Sequence, residues 1–287
     1  METIEKQTEY FKNLIADRQE NAHVIEKSSM EGVKGSVVEK YSDQAHFIYE
    51  LLQNANDVKA TKAEFRLEKG GLYFSHNGTI HFTVTNPERE REDKIDNKLG
   101  HINSITSIGQ SNKTKESTIG KFGVGFKAVF QYTDTPHIYD KYFQFKIERF
   151  IVPRLLEIDL GDRNDNTVFY FPFDKKEMPT DKAFDDIIGK LKSLSYPTLF
   201  LSFLNEIKWK SDNESGNYAK HISKSEQWKD ISYSKVKLTH QIGLKPTTEK
   251  LILFSRNIDN SGLSYSVGFF LDRNGKLQSK QLDAFCF

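Results

Sequence analysis

The sequence predicts an α+β chain, and three observations carry that prediction. Apolar residues recur at helical spacing around residues 41–59, alternate with polar ones on either side of Lys69-Gly70-Gly71, and alternate again from 231 to 278. The first pattern is an amphipathic helix. The other two are antiparallel strands returning through tight turns, so a sheet and a helix with an apolar face are both available to share a core.

Taken in order, residues 4–20 read as a short polar helix, followed by the Gly-containing stretch SSMEGVKGSV. The next helix runs from about Tyr41 to Lys59, with Ser42 and Asp43 as caps whose side-chain oxygens accept from first-turn amides. AEFRLEKGGLYFSHNGTIHFT then gives two strands, with Phe65 and Leu67 on one face and Leu72, Phe74 and His76 on another. NPEREREDKIDNK (86–98) is too charged to supply core and reads as a solvated loop or helix face, and 99–119 reads as a mobile segment rich in Ser, Thr, Asn and Gly. IGKFGVGFKAVFQY opens with three glycines and continues as a helix, with Phe126, Val129 and Phe130 at i, i+3, i+4. Strands follow in YFQFKIERF, LLEIDL and NTVFYFPF.

After Pro179 the texture changes, so a boundary between two units is placed near 175. A helix spans about 181–194, TLFLSFLNEIKW is a strand or a buried helix, SDNESGN (211–217) is a loop, and Asn274-Gly275 turns a further hairpin. The chain stops in the apolar run QLDAFCF, which reads as an interruption of a longer polypeptide.

Bulk composition excludes several classes. Lys+Arg 41 against Asp+Glu 40 leaves +1, so no global field attracts nucleic acid or an anionic membrane. The single cysteine, Cys286, excludes an internal disulfide and a cysteine-built metal site, which predicts a reducing compartment. The N-terminus lacks a signal-peptide core, and no segment reaches the roughly 18 uninterrupted apolar residues of a membrane helix. A soluble, cytoplasmic protein is expected.

Two motifs carry chemistry. In FIYELLQNANDV, Glu50, Asn54 and Asp57 sit at i, i+4, i+7 and form one stripe, with Ala45, Ile48, Leu51, Leu52 and Ala55 opposite. Alone, such a helix reads as amphipathic with a solvated polar side. In IGKFGVGFK, Gly120, Gly123 and Gly125 form G-x-x-G-x-G immediately before a helix, where amides approach an anion without Cβ interference and the helix terminus adds positive charge. The order is neither the dinucleotide-binding G-x-G-x-x-G nor the Walker G-x-x-x-x-G-K-[ST], so ordinary Rossmann and P-loop readings fail.

Together these residues resemble the GHKL superfamily, in particular its heat-shock chaperone and sacsin-like branch. ELLQNANDV matches the family's E-x-x-x-N-x-x-D helix, IGKFGVGFKAVF its glycine motif, ITSIGQSNKTKE its lid, and NDNTVFYFPF the strand whose threonine lies near adenine. The resemblance covers about residues 35–175. It implies a Bergerat fold, a two-layer α/β sandwich in which helices cover one face of a mixed sheet, as an ATP-binding domain over 1–175. A smaller α/β unit over 176–287 would then be transducer-like or the start of a middle domain.

The resemblance also implies roles. Asn54 would offer its amide oxygen to Mg²⁺, Glu50 would position or deprotonate the attacking water, and Asp57 would support the adenine side. Gly120, Gly123 and Gly125, with Val124 and Phe126 between and after them, would direct amides at the phosphates of ATP. Lys113 or Lys121 would be charge partners, and Thr167 would hydrogen-bond near the base. One departure stands out: the family's D-x-G-x-G becomes HNGTIHF, so Gly78 fits the first glycine, His76 replaces the aspartate and Ile80 the second glycine. A neutral imidazole nitrogen of His76, or Asn77, could accept from the adenine amino group; otherwise the purine preference differs, or His76 is a satisfied core histidine. Val58, where many relatives carry alanine, is a milder departure, and a zinc site at His76 and His81 lacks a third ligand.

The leading expectation is therefore a slow Mg-ATPase whose lid, about 86–119, gates nucleotide and drives homodimerisation or rearrangement of C-terminal effector or middle domains. A basic residue reaching the terminal phosphate would be Lys245 or one beyond Phe287. The alternative is a nucleotide-dependent dimerisation or interaction module that binds without hydrolysis. A histidine-kinase-like phosphotransferase fits less well, because no phospho-acceptor helix precedes the domain. The resemblance implies a chaperone-like role as in sacsin-like relatives, and the nuclease or other effector domains beside similar bacterial domains suggest antiviral defence as a speculative alternative.

Overall fold

In the computed structural model the described residues are 3–30, 32, 36, 46–107, 125–157, 165–243, 245–258 and 263–278. Helix α1 is longer than predicted, Ile4–Ile25. Its polar composition hides a narrow stripe in which Gln7, Phe11, Leu14, Arg18 and Ala22 are all buried. Phe11 anchors it, stacking on Phe143 at 5.6 Å and meeting Phe145 edge-on at 5.8 Å.

Helix α2 is described over His46–Asp57; Tyr41, Ser42, Asp43 and Ala45 lie outside the described residues. Phe47, Ile48, Leu51, Leu52 and Ala55 are buried, and the larger of these side chains contribute on the order of 2 kcal/mol each. The hairpin is as expected: β1 (Lys62–Glu68) pairs antiparallel with β2 (Gly71–His76) through Leu67 and Leu72.

The charged stretch forms a 3-10 turn at Pro87–Arg89 and the short helix α3 (Glu90–Ile95). The next stretch differs from expectation, because 101–105 is not a loose segment but helix α4 (His101–Ile105), with Ile102 and Ile105 buried. Its polar residues serve as ties. Asn103 Oδ1 accepts from the Thr85 amide at 2.9 Å, and its Nδ2 donates to Thr85 O at 3.0 Å and Glu90 Oε1 at 2.8 Å. Arg18 of α1 joins them, pairing with Asp17 and Glu90 and donating to Thr106 Oγ1 at 3.4 Å and Asn103 O at 3.3 Å. The remainder of the expected mobile segment, 108–119, lies outside the described residues.

A 3-10 helix, Gly125–Gln131, stands where an α-helix was expected after the glycines. Strands β3 (His137–Tyr139), β4 (Gln144–Glu148), β5 (Val152–Leu155) and β6 (Thr167–Pro172) follow, β5 lying earlier than LLEIDL. Helix α5 is Thr180–Lys192. From TLFLSFLNEIKW only Glu206–Lys210 is strand (β7), with Ile207 and Trp209 facing inward. β8 (Ser215–Trp228), β9 (Ile231–Ile242), β10 (Lys245–Ile258) and β11 (Leu263–Leu271) form the long antiparallel run.

All eleven strands join one mixed sheet in the order β11-β10-β9-β8-β7-β1-β2-β6-β3-β4-β5. Among the described residues every pairing is antiparallel except β1 with β7, where Lys62 lies opposite Glu206. The sheet therefore runs unbroken across position 175. The main core does too, reaching from Phe11 to Tyr218, while Leu199, Val236, Leu238, Leu251 and Phe270 make a smaller one. On the buried face, His76 lies opposite Thr167, Phe74 opposite Phe169 and Leu72 opposite Phe171.

Candidate functional site

The polar stripe of α2 is not the solvated face that helical periodicity alone suggests. Asn54 is only 5% exposed, and its side-chain amide makes no hydrogen bond among the described residues. Asp57 Oδ2 is sealed from solvent without a partner among the described residues. Burial, and secondarily the charge of Glu50, pushes the Asp57 carboxyl up to about 7.

The 3-10 helix is packed against this stripe. A Cβ at Gly125 would stand 1.8 Å from Glu50 Oε2, so only glycine lets the backbone come this close to the carboxylate. Glu50 and the last of the three motif glycines, about 75 residues apart in sequence, are thus neighbours. Lys113, Gly120, Lys121, Gly123 and Val124 lie outside the described residues. Phe126 is described and buried, its ring 6.1 Å from Phe169 and 6.3 Å from Phe171, which makes it core under the site.

The other end of α2 meets the β2 loop. Thr79 donates to Val58 O at 2.9 Å, and a Cβ at Gly78 would stand 2.4 Å from Val58 Cγ2 and 3.0 Å from His76 Nδ1. Val58, which carried no consequence in the sequence, fills the space that this glycine leaves. Neighbouring Asn56 is buried and its Oδ1 accepts from Phe203 N at 2.8 Å and Leu204 N at 3.3 Å, fastening α2 to the approach to β7. Asn77 is turned toward β1: its Oδ1 accepts from the Thr61 and Lys62 amides, both at 2.9 Å, and its Nδ2 donates to Thr61 Oγ1 at 2.9 Å. Its polar atoms thus close the base of the hairpin.

His76 points inward, as the β2 alternation predicts, and is 6% exposed. Its Nδ1 accepts from the Gly78 amide at 3.1 Å. Burial outweighs the attraction of Asp140 and lowers the imidazole to about 4, so it is neutral. Thr167, its cross-strand partner, is buried and donates to Asp140 Oδ1 at 2.7 Å. The same oxygen takes His81 Nδ1 at 3.1 Å, and Asp140 Oδ2 accepts from Phe82 N at 3.2 Å. His76, His81, His101, Val58, Ile80 and Phe82 line a cavity of about 10 Å³, the room of one water.

Asp140 is fully buried and central to this end of the site, yet the sequence analysis missed it. Its signal was a carboxylate directly after the apolar strand HIY, a weak one with no motif around it. Lys127 was missed as well. It is buried, donates to Phe150 O at 2.7 Å, and is held well below the usual lysine range by burial and by Arg18. Both are invisible to spacing because their partners lie far along the chain.

A larger cavity, about 310 Å³, lies between residues 194–198 and strands β8–β10. None of the predicted site residues lines it. Glu249 is the charged side chain in its wall, which does not suit a polyanion.

No family model matches the chain. Over 116 residues it is 34% identical to the protein NO VEIN of Arabidopsis thaliana, covering 38% of this chain and 4% of that protein. Over 126 residues it is 28% identical to sacsin of Homo sapiens, covering 39% of this chain and 3% of sacsin. The chain therefore spans a few per cent of the length of these relatives, and part of it is similar to sacsin-like proteins.

Proposed function

We propose that the chain binds a magnesium-complexed nucleoside triphosphate in a Bergerat-type fold of the GHKL kind and hydrolyses it slowly. One observation carries this reading: the stripe of half-buried Glu50 and Asp57 with buried Asn54, in which Glu50 lies against Gly125, the Asn54 side-chain amide makes no hydrogen bond among the described residues, and Asp57 Oδ2 is sealed without a partner among them. Buried polar groups are ordinarily satisfied, so the sealed Asp57 Oδ2, one turn from the unbonded Asn54 amide, marks a place where a ligand completes the bonding. From Glu50 to Val58 the helix advances about 12 Å, joining a glycine-flanked carboxylate at one end to the His76 loop at the other. A nucleotide laid along it would have its triphosphate near Glu50 and its base near His76. The partial similarity to sacsin and the single buried face of β1, β2 and β6 support the same reading.

The donor set suits Mg²⁺. Among the described residues no group of three or more His, Cys, Asp or Glu is placed to hold a metal ion. Mg²⁺ needs no such group, because it keeps waters and takes phosphate oxygens beside one or two protein ligands. Asn54 would hold it, and the ion would supply charge neutralisation at the phosphates. Glu50 would orient water and accept its proton; its place against Gly125 fixes where that water could stand. Asp57, kept largely uncharged below pH 7, would donate a hydrogen bond toward the base end.

The nucleotide-gated lid at about 86–119, homodimerisation on its closure, attached C-terminal domains, a cytoplasmic site of action and a chaperone-like or defence role belong to the same proposal. Titration with Mg-nucleotide and steady-state phosphate release test it. Asn54→Ala should abolish Mg²⁺-dependent binding, and Glu50→Ala should abolish phosphate release while binding persists. Unchanged binding in Asn54→Ala would refute the site. Binding by the unaltered chain with phosphate release no faster than in Glu50→Ala would move the function to the non-hydrolysing interaction module.

A further inference from the structure

We propose that the outward face of β8–β11 binds single-stranded nucleic acid, with bases stacked on a line of aromatic rings and phosphates held by a neighbouring line of lysines. Val236, Leu238, Leu251 and Phe270 are buried in the smaller core, so the residues alternating with them point away from it. Exposed on that outward face are Tyr265, Val267 and Phe269 of β11, with exposed Phe254 of β10 directly opposite Val267. Half-buried Tyr233 of β9 stands opposite Phe254. The rings of Phe269, Phe254 and Tyr233 thus step across three strands, with centroids 5.9 and 6.1 Å apart.

Beside the rings, on the same face, the charge is one-sided. Lys250 lies opposite Lys237 and Lys235 opposite Lys224, so four exposed lysines occupy adjacent register positions on three strands. Lys224 pairs with Glu226, while Lys235, Lys237 and Lys250 make no ion pair among the described residues. Like charges set directly opposite one another destabilise a sheet, a cost that a bound polyanion removes. The chain's net charge of +1 conceals this patch, because most carboxylates lie elsewhere. A single strand carries phosphates along one side and open base faces along the other. Lys235 and Tyr233, two residues apart on β9, join the two lines across about 7 Å. A phosphate over the lysine therefore leaves its base over the rings. A duplex hides its base faces, and a membrane surface has no use for two segregated lines. None of these residues belongs to the α2 stripe, and binding here requires no nucleotide.

Fluorescence anisotropy of labelled oligo(dT) and oligo(U), each of about 20 nucleotides, tests the unaltered chain at about 50 mM salt. Both strands should bind, and a duplex of the same length should bind about tenfold more weakly or worse. Lys235→Gln with Lys237→Gln should weaken binding about tenfold and flatten the dependence of log Kd on log salt by about 1.4. Phe254→Ala with Phe269→Ala should also weaken it about tenfold, but leave the salt slope unchanged. Circular dichroism confirms that each variant is folded, and the lysine pair, being exposed, keeps the test open if the aromatic pair is not. No binding of either strand, equal binding of the duplex, or a folded aromatic variant that binds undiminished would overturn the proposal. Sedimentation of the chain with phosphatidylserine vesicles, with neither strand bound, would overturn it in favour of a membrane surface.

Discussion

Replacing Asp57 by asparagine should stabilise the ligand-free protein at every pH above about 4, most of all above pH 7. Moving this carboxyl from 3.8 to about 7 corresponds to about 4 kcal/mol of disfavoured charge. Part of the side chain still meets solvent, which screens roughly half and leaves about 2 kcal/mol. The sign follows from which state holds the proton. Above pH 7 the carboxyl is ionised in both states and the folded one bears the full cost. Between 7 and 3.8 the folded state keeps the proton while the unfolded state loses it, so the cost shrinks as pH falls. Below 3.8 neither is charged and the cost is gone. Asp57→Asn removes the charge at every pH, so its thermal midpoint should exceed that of the unaltered chain by about 4 °C at pH 8. The gain should disappear near pH 4. Glu50→Gln should recover a smaller part, because Glu50 is the second cause of the shift. Differential scanning calorimetry at pH 4, 6 and 8 measures all three quantities. A gain independent of pH, or a loss at pH 8, would refute the electrostatic account. If the nucleotide reading is also right, the stabilised Asp57→Asn chain should bind nucleotide more weakly, a trade of function for stability.

Three further outcomes follow from the packing. Gly125→Ala forces a methyl to within 1.8 Å of Glu50 Oε2, so phosphate release should fall at least as far as in Glu50→Ala while the far-ultraviolet dichroism is retained. Gly78→Ala drives a methyl against Val58 Cγ2 and should cost about 2 kcal/mol in urea unfolding; Val58→Ala combined with it should restore part of that loss. Arg18→Ala strips Glu90, Thr106 and Asn103 of a buried partner and should cost about 3 kcal/mol. Hydrogen exchange in that variant should rise first in α3 and α4, and uniform acceleration across the sheet would show that Arg18 acts otherwise.

What was legible in the sequence was local. Lys69-Gly70-Gly71 announces a hairpin because the turn and its strands lie within a few residues, and the register through Leu67 and Leu72 agrees. The stripe on α2 was legible as spacing, but its burial was not, since that depends on Gly125 arriving from 75 residues away. The segment 101–105 was misjudged because Asn103 and Thr106 look like loop residues when their partners, Thr85 and Arg18, are out of view. His76 shows the limit most clearly. Its side-chain direction followed from alternation, but whether it gives or takes a hydrogen bond is decided by one backbone amide at Gly78. Asp140, which ties Thr167, His81 and Phe82 together, sits in no motif at all.

The lone parallel pairing has a consequence for the order in which the chain can assemble. β1 finds β2 almost at once, but its other edge waits for β7, about 140 residues downstream. At ribosomal speeds that is roughly ten to thirty seconds in which a nascent strand carries Ala63, Phe65 and Leu67 with one row of amides and carbonyls unmet. An open edge of that kind recruits other strands. The flanking charges Lys62, Glu64 and Arg66 line the outward face of β1 and would discourage such pairing until Trp209 arrives. Cutting the chain near residue 175 would make that interval permanent, and the severed N-terminal part would behave as an aggregation template instead of a smaller working module.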